Sequence, residues 1–295
     1  MLSYLVSFYY IFFPKQKAEN YWTEKLLITQ TIFAMDESTL KQQIKSIQSL
    51  SRYLKKFPPP INIEYMLWFS GRAYSKESRE KIENTLHKEF WNNVHIKQFA
   101  KNKGKSTYIN KLVQEISKKF HWTSMFTFDS DIIFSLDCPY LFDRMLYSIE
   151  IYEKEKWQKY GIIAPLFVEG HAHYWEVINQ NRKNYIYTHN GRLYREQLVW
   201  GHLALWIWWG CWMISKSFRE KIGWYPIVWK YWLDDALLLR KCAQKGYSRW
   251  VLNSVHVIHP NIIDNVAYYA FKDSMCCRPI SWSYPPWTNN QTPKP

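Results

Sequence analysis

In FTFDSDIIF, residues 126–134, an apolar run delivers Asp129 and Asp131 with Ser130 between them. Carboxylates are hard oxygen donors, and two at a strand end can face one divalent cation and the diphosphate it bridges. Half-burying such a pair beside Phe126, Phe128 and Ile132 is costly without a cation, so the placement points to a ligand. A polar turn closing the strand is the bland alternative for the triplet alone. A second candidate is KNKGKSTYIN, where Asn102, Gly104 and Lys105 precede a helix that carries Asn110. Exposed N–H groups and cations at a helix start can receive a phosphate, although a solvated Lys-rich helix start reads the same way.

Two more groups of residues lie downstream. Asp234 and Asp235 open the segment DDALLLRKCAQKGY, where a carboxylate is stabilised by the helix dipole and can accept a proton from an attacking hydroxyl. N-cap duty is the competing role for one of the two. SVHVIHP carries His256 and His259, either of which could supply an imidazole to a cation held by Asp131. Three residues apart in an extended segment, the two point to opposite faces, so at most one reaches the site.

These residues need a frame. LLITQTIF reads as a strand, STLKQQIKSIQSLSRYL as a helix stopped by Pro58, Pro59 and Pro60, INIEYMLWFS as a strand, and SKESREKIENTLHKEF as a helix capped by serine. VHIKQF, KSTYINKLVQEISKKF and TSMFTFDSDIIF continue the alternation of strand and helix. Four such alternations predict a doubly wound, mainly parallel α/β sheet whose ligands sit at strand C-terminal ends. Beyond them, YGIIAPLF, LWIWWGCWMIS and YSRWVLNSVHVIH read as strands, and DDALLLRKCAQKGY as an amphipathic helix ending at Gly246. The expected organisation is a single domain over 21–262, with a donor half (21–135), an acceptor half (136–262), an N-terminal apolar arm (1–20) and a C-terminal arm (263–295).

Taken in order, DSD, NKGKSTYIN, DDALLLR with KGY, and VHVIHP resemble the GT-A glycosyltransferases, most nearly the family 2 type, over roughly Lys25 to Pro260. The resemblance implies a Rossmann-like GT-A fold and a nucleotide-sugar donor, a UDP-sugar in the first instance. It implies Mn²⁺ or Mg²⁺ held by Asp131 and a downstream histidine, for which His259 is preferred, with a ribose or metal contact from Asp129. Thr29, Asn102, Gly104, Lys105 and Ser130 complete the implied donor site, and Asp234 or Asp235 is the implied base of an inverting transfer. Family members commonly carry an aspartate after the second strand that reads uracil, and here Phe69-Ser70-Gly71 stands in that place. IIAPLFVEGHAHYWEV and YIYTHNGRLY look like the acceptor half of enzymes that glycosylate hydroxylated polymers, such as collagen hydroxylysine. Tyr174, Trp175 and Trp209 are the expected acceptor contacts, by stacking and hydrogen bonding.

Composition bears on the acceptor. The 295 residues carry 39 Lys and Arg against 25 Asp and Glu, a net charge of +14, and 19% are aromatic. Hydrophobic residues make up 47%, enough for a core, which excludes disorder as the main state. Only 9 Gly and 13 Pro, without a period, exclude collagen-like and solenoid architectures. Five cysteines, two of them adjacent, fit a reducing compartment and a cytoplasmic location. MLSYLVSFYYIFFP is too short an apolar run to span a bilayer, and reads as a strand before a peripheral membrane contact. A basic, aromatic-rich chain makes a hydroxymethylated pyrimidine in DNA the leading acceptor, as in phage DNA modification, reached by base flipping. A saccharide, lipid-linked or protein acceptor is the alternative within the enzyme reading. A non-catalytic nucleic-acid-binding module is the alternative outside it, and predicts that Asp129, Asp131 and Asp234 can be replaced without loss.

Overall fold

The computed structural model describes residues 25–32, 37–59, 62–70, 75–90, 94–99, 105–118, 121–154, 159–168, 181–189, 192–200, 210–223, 238, 241–242 and 244–260. Nine strands form one sheet: β1 (Lys25–Ile32), β2 (Asn62–Ser70), β3 (Val94–Phe99), β4 (Ser124–Phe128), β5 (Lys159–Val168), β6 (Asn181–His189), β7 (Arg192–Trp200), β8 (Cys211–Ser215) and β9 (Tyr247–Ile258). Their order is β3-β2-β1-β4-β8-β5-β9-β7-β6. The first half is all parallel: β1 pairs with β2 and β4, and β2 pairs with β3. β8 runs antiparallel between β4 and β5, β9 is parallel to β5, and β7 is antiparallel to both β9 and β6. All strands except β7 and β8 therefore point one way. The two arms fall outside the described residues, among which no helix is long and apolar enough to cross a membrane.

Among the described residues five helices flank the sheet: α1 (Glu37–Lys56), α2 (Lys76–Phe90), α3 (Lys105–Ile116), α4 (Leu141–Lys154) and α5 (Lys216–Ile222). α1 forms because Leu40, Ile44, Ile47, Leu50 and Leu54 recur at helical spacing, with Glu37 in its first turn and Lys55 and Lys56 in its last complementing the dipole. Phe57 and Pro58 end it. α2 starts where the Ser75 hydroxyl accepts the Ser78 N–H at 3.1 Å, the predicted cap.

Strand alternation divides the core between two layers. Leu26, Ile28, Phe126, Phe128, Ile163, Phe167 and Met213 pack with α1, α2 and α4. Leu27, Met125, Ile162, Ala164, Trp212 and Ile214 pack with α3 and α5 on the other face. Each fully buried Leu, Ile, Met or Phe among them contributes about 1.5–3 kcal/mol of transfer free energy.

Three features depart from the sequence expectation. LFDRMLYSIEIYEK forms α4, where no helix was expected, and residues 181–189 and 192–200 pair as antiparallel strands, where no strand was expected. The strand read over 123–134 stops at Phe128, so the Asp-Ser-Asp triplet lies in the following turn. One irregularity positions the site. After a one-residue shift on β5 between Tyr160 and Ile162, β5 and β9 pair in register up to Pro165 with Leu252, and resume with Leu166 against His256, so three extra residues are inserted on β9.

Candidate active site

The chain passes from β1 out to β3 and returns to β4 on the other side of β1. The order reverses between β1 and β4, and a ligand crevice opens beyond the strand ends at such a point. Asp129 follows β4 there. Its N–H donates to the Gly210 carbonyl at 2.7 Å. Its own carbonyl accepts the Gln30 side-chain amide at 3.3 Å and the Ile132 N–H at 3.4 Å. Gln30, fully buried on β1, also donates to Ser46 Oγ at 3.0 Å. The Ser46 hydroxyl donates to the Ile132 carbonyl at 2.6 Å, and Ser49 Oγ accepts the Phe134 N–H at 3.1 Å. Buried polar groups need partners, so this relay from β1 and α1 fixes the backbone of the Asp-Ser-Asp turn. Sequence reading passed over these residues. Their signal is a glutamine inside an apolar strand and two serines, three apart, on the apolar face of α1.

The end of β9 is brought to the same turn by two backbone hydrogen bonds, Ile133 N–H to the Ile258 carbonyl and Ile258 N–H to the Ile133 carbonyl, each 2.9 Å. His259 comes next in the chain. Its Nε2 lies 3.6 Å from Asp131 Oδ2, and its ring stacks on Phe167 with centroids 5.5 Å apart and planes at 28°. Asp131 is only 6% exposed. His256 faces elsewhere: its Nε2 is 3.4 Å from Asp137 Oδ1, and its backbone N–H donates to the Cys138 thiol at 3.1 Å. A hydrogen bond from Ser135, followed by the charge of His256, holds the exposed Asp137 carboxyl below the usual range. Only one of the two histidines meets Asp131, and it is His259.

The pair fits a divalent cation. Two donors, each about 2.1 Å from one cation, lie about 3.0 Å apart when cis and about 4.2 Å apart when trans, and 3.6 Å falls between these limits. Among the described residues no group of three His, Cys, Asp or Glu side chains assembles to hold a metal, so the Asp129 carboxylate does not join Asp131 and His259 in such a group. A bound diphosphate and water would supply further ligands.

Of the other predicted positions, Thr29 is buried on β1 in register with Thr127 of β4, and neither hydroxyl has a hydrogen-bond partner among the described residues. Ser130 is half-buried in the turn, and Lys105 is the first residue of α3. Asn110 does not face the crevice, because it is buried and accepts a 2.9 Å hydrogen bond from Arg219 of α5. Asn102, Gly104, Tyr174, Trp175, Trp209, Asp234 and Asp235 lie outside the described residues.

The overall fold recurs in solved proteins. GalNAc-T7, determined with UDP, GalNAc and Mn²⁺, superposes at a TM-score of 0.53 with 14% identity, over 83% of this chain and 44% of that one. The chain has the GT-A fold. A mannosyltransferase from Pyrobaculum calidifontis, determined with GDP-Man and Mn²⁺, superposes at 0.52 with 11% identity, over 92% of this chain and 66% of its own. The GT-A chain thus spans less than two thirds of either protein. No protein-family model and no curated protein sequence matches it. The expected Rossmann-like architecture is what the structure contains, with a mixed second half appended to the parallel first half of this GT-A sheet.

Proposed function

We propose that the chain is a metal-dependent glycosyltransferase that moves a sugar from a nucleotide-sugar to an acceptor hydroxyl. The observation that carries the reading is the convergence of Asp131 and His259, from two separate elements, at the switch point of a GT-A sheet. These two residues would hold Mn²⁺ or Mg²⁺. When bound, the cation neutralises charge that develops on the leaving diphosphate. The acceptor oxygen attacks the anomeric carbon as the bond to the diphosphate breaks, and the electron pair leaves on the phosphate oxygen. Asp234 or Asp235 takes the hydroxyl proton, which gives inversion. Asp129, Ser130, Thr29 and the Asn102, Gly104 and Lys105 segment bind the donor, in keeping with the resemblance of their motifs.

The two similar structures hold different nucleotides, UDP and GDP, so the fold is compatible with either base. A uridine donor is the first expectation. For the acceptor we take a hydroxymethylated pyrimidine in DNA. The support is a net charge of +14, together with Arg182, Lys183, Arg192, Arg195, Tyr185, Tyr187 and Tyr194 in the β6–β7 hairpin. That hairpin sits at the sheet edge next to β9, the strand that leads into His259.

The test is a panel of UDP- and GDP-sugars with Mn²⁺, scored by release of nucleoside diphosphate with and without hydroxymethylated DNA. Release from one donor, stimulated by the DNA, is expected. Release stimulated only by saccharide, lipid-linked or protein hydroxyls would move the acceptor to that class, and no release from any donor would refute the enzyme reading.

A further inference from the structure

Gly210 stands immediately before β8 and touches three parts of the candidate cation site. A Cβ placed on it would lie 3.2 Å from Phe167 Cζ, 3.3 Å from Ile132 Cδ1 and 3.4 Å from His259 Cδ2. Carbon atoms prefer about 3.5–4.0 Å, so any side chain here pushes its neighbours back. The backbone at Gly210 does not have a positive φ, so the restriction is one of space rather than of conformation.

The three neighbours are not arbitrary. Phe167 is the ring that stacks on His259, and it limits how far the imidazole can tilt. Cδ2 is the ring carbon bonded to Nε2, the atom that faces Asp131. Ile132 follows Asp131 directly in the chain, and its carbonyl is held by Ser46. On its other side, the Gly210 carbonyl accepts the Asp129 N–H at 2.7 Å.

We infer that Gly210 is a positioning residue of the cation site: its carbonyl anchors the Asp-Ser-Asp turn, and its missing side chain leaves the space in which Phe167 and His259 pack. The inference rests on the proposed cation site, and the following measurements separate the two. Mn²⁺ is titrated into the full chain by calorimetry, and free Mn²⁺ is followed by its paramagnetic resonance. The variants are Asp131→Asn, Gly210→Ala, Phe167→Leu and the Gly210→Ala, Phe167→Leu double variant.

The expected result is loss of Mn²⁺ binding in Asp131→Asn and a loss of about tenfold in affinity in Gly210→Ala, the scale of an outer-shell support, with the metal-free melting transition largely retained. In the Phe167→Leu background the added methyl group should cost less, because the 3.2 Å contact has gone. That background carries the comparison if Gly210→Ala alone does not fold. If Gly210→Ala binds Mn²⁺ as the unaltered chain does while Asp131→Asn does not, the inference on Gly210 fails and the cation site stands. A fall in melting temperature with unchanged Mn²⁺ affinity would likewise reduce Gly210 to a packing role and overturn the inference. If the unaltered chain binds no Mn²⁺, both fall.

Discussion

Replacing Gln30 by methionine keeps the volume of a fully buried side chain and removes its amide. Two hydrogen bonds disappear with it, to the Asp129 carbonyl and to Ser46 Oγ. Each neutral bond is worth about 1 kcal/mol net, which sets a loss of about 2 kcal/mol. The Asp129 carbonyl keeps the long 3.4 Å bond from Ile132, so its partly lost solvation adds to that figure and about 4 kcal/mol is the upper bound. Ser46 keeps its donor bond to Ile132, so its own loss is small. At about 2 °C per kcal/mol for a chain of this size, the melting temperature should fall by about 4–8 °C. Thermal unfolding followed by circular dichroism measures this, and a Mn²⁺ titration measures the second effect, a weaker cation site because Asp129 is less firmly held. Combining Gln30→Met with Ser46→Ala should cost less than the sum of the two, since both belong to one relay. An unchanged melting temperature together with additive effects would show that the relay does not hold the turn.

Further outcomes follow from the same geometry. Tyr53 donates to the Cys138 carbonyl at 2.7 Å and accepts the Leu141 N–H at 2.6 Å, so Tyr53→Phe should lose about 2 kcal/mol on unfolding in urea. Burial pushes the Tyr53 phenol well above its ordinary range. The unfolded chain therefore ionises this group first: its contribution is complete below about pH 10 and declines as pH rises beyond that, and the decline should be absent in Tyr53→Phe. Chelation with EDTA should abolish sugar transfer and added Mn²⁺ should restore it, while Asp131→Asn should remain inactive with excess Mn²⁺; full activity in that variant would remove Asp131 from the site.

Sequence periodicity located β1, β2, β3, α1 and α2 within a residue or two, because the strands are apolar or alternating runs and the helices are amphipathic, α1 stopped by three prolines and α2 opened by a capping serine. α4 was not expected, since no element was assigned between Phe134 and Tyr160, although Leu141, Phe142, Met145, Leu146 and Ile149 have helical spacing. The β6–β7 pair carries Asn190-Gly191 between two aromatic runs, a turn signal in the sequence. At the site, His259 rather than His256 lies 3.6 Å from Asp131. The partners of the turn could not be read in the same way, because Gln30, Ser46 and Gly210 meet it only through pairings between elements far apart in the chain.

The three-residue irregularity on β9 acts as a ruler. Asn253, Ser254 and Val255 are the inserted residues, an odd number, and Val255 together with Val257 beyond them enters the same core layer as Leu252. A shift of the end of β9 by one residue along β5 would turn Val257 away from that layer. A shift by two would preserve the faces but move the end of β9 by about 6.6 Å, beyond the 3.6 Å contact of His259 with Asp131. The length of this short segment, more than the identity of its residues, therefore sets which histidine a related chain could present to its carboxylate. Comparison of distant relatives should count residues between the last paired position of this strand and its terminal histidine before matching letters.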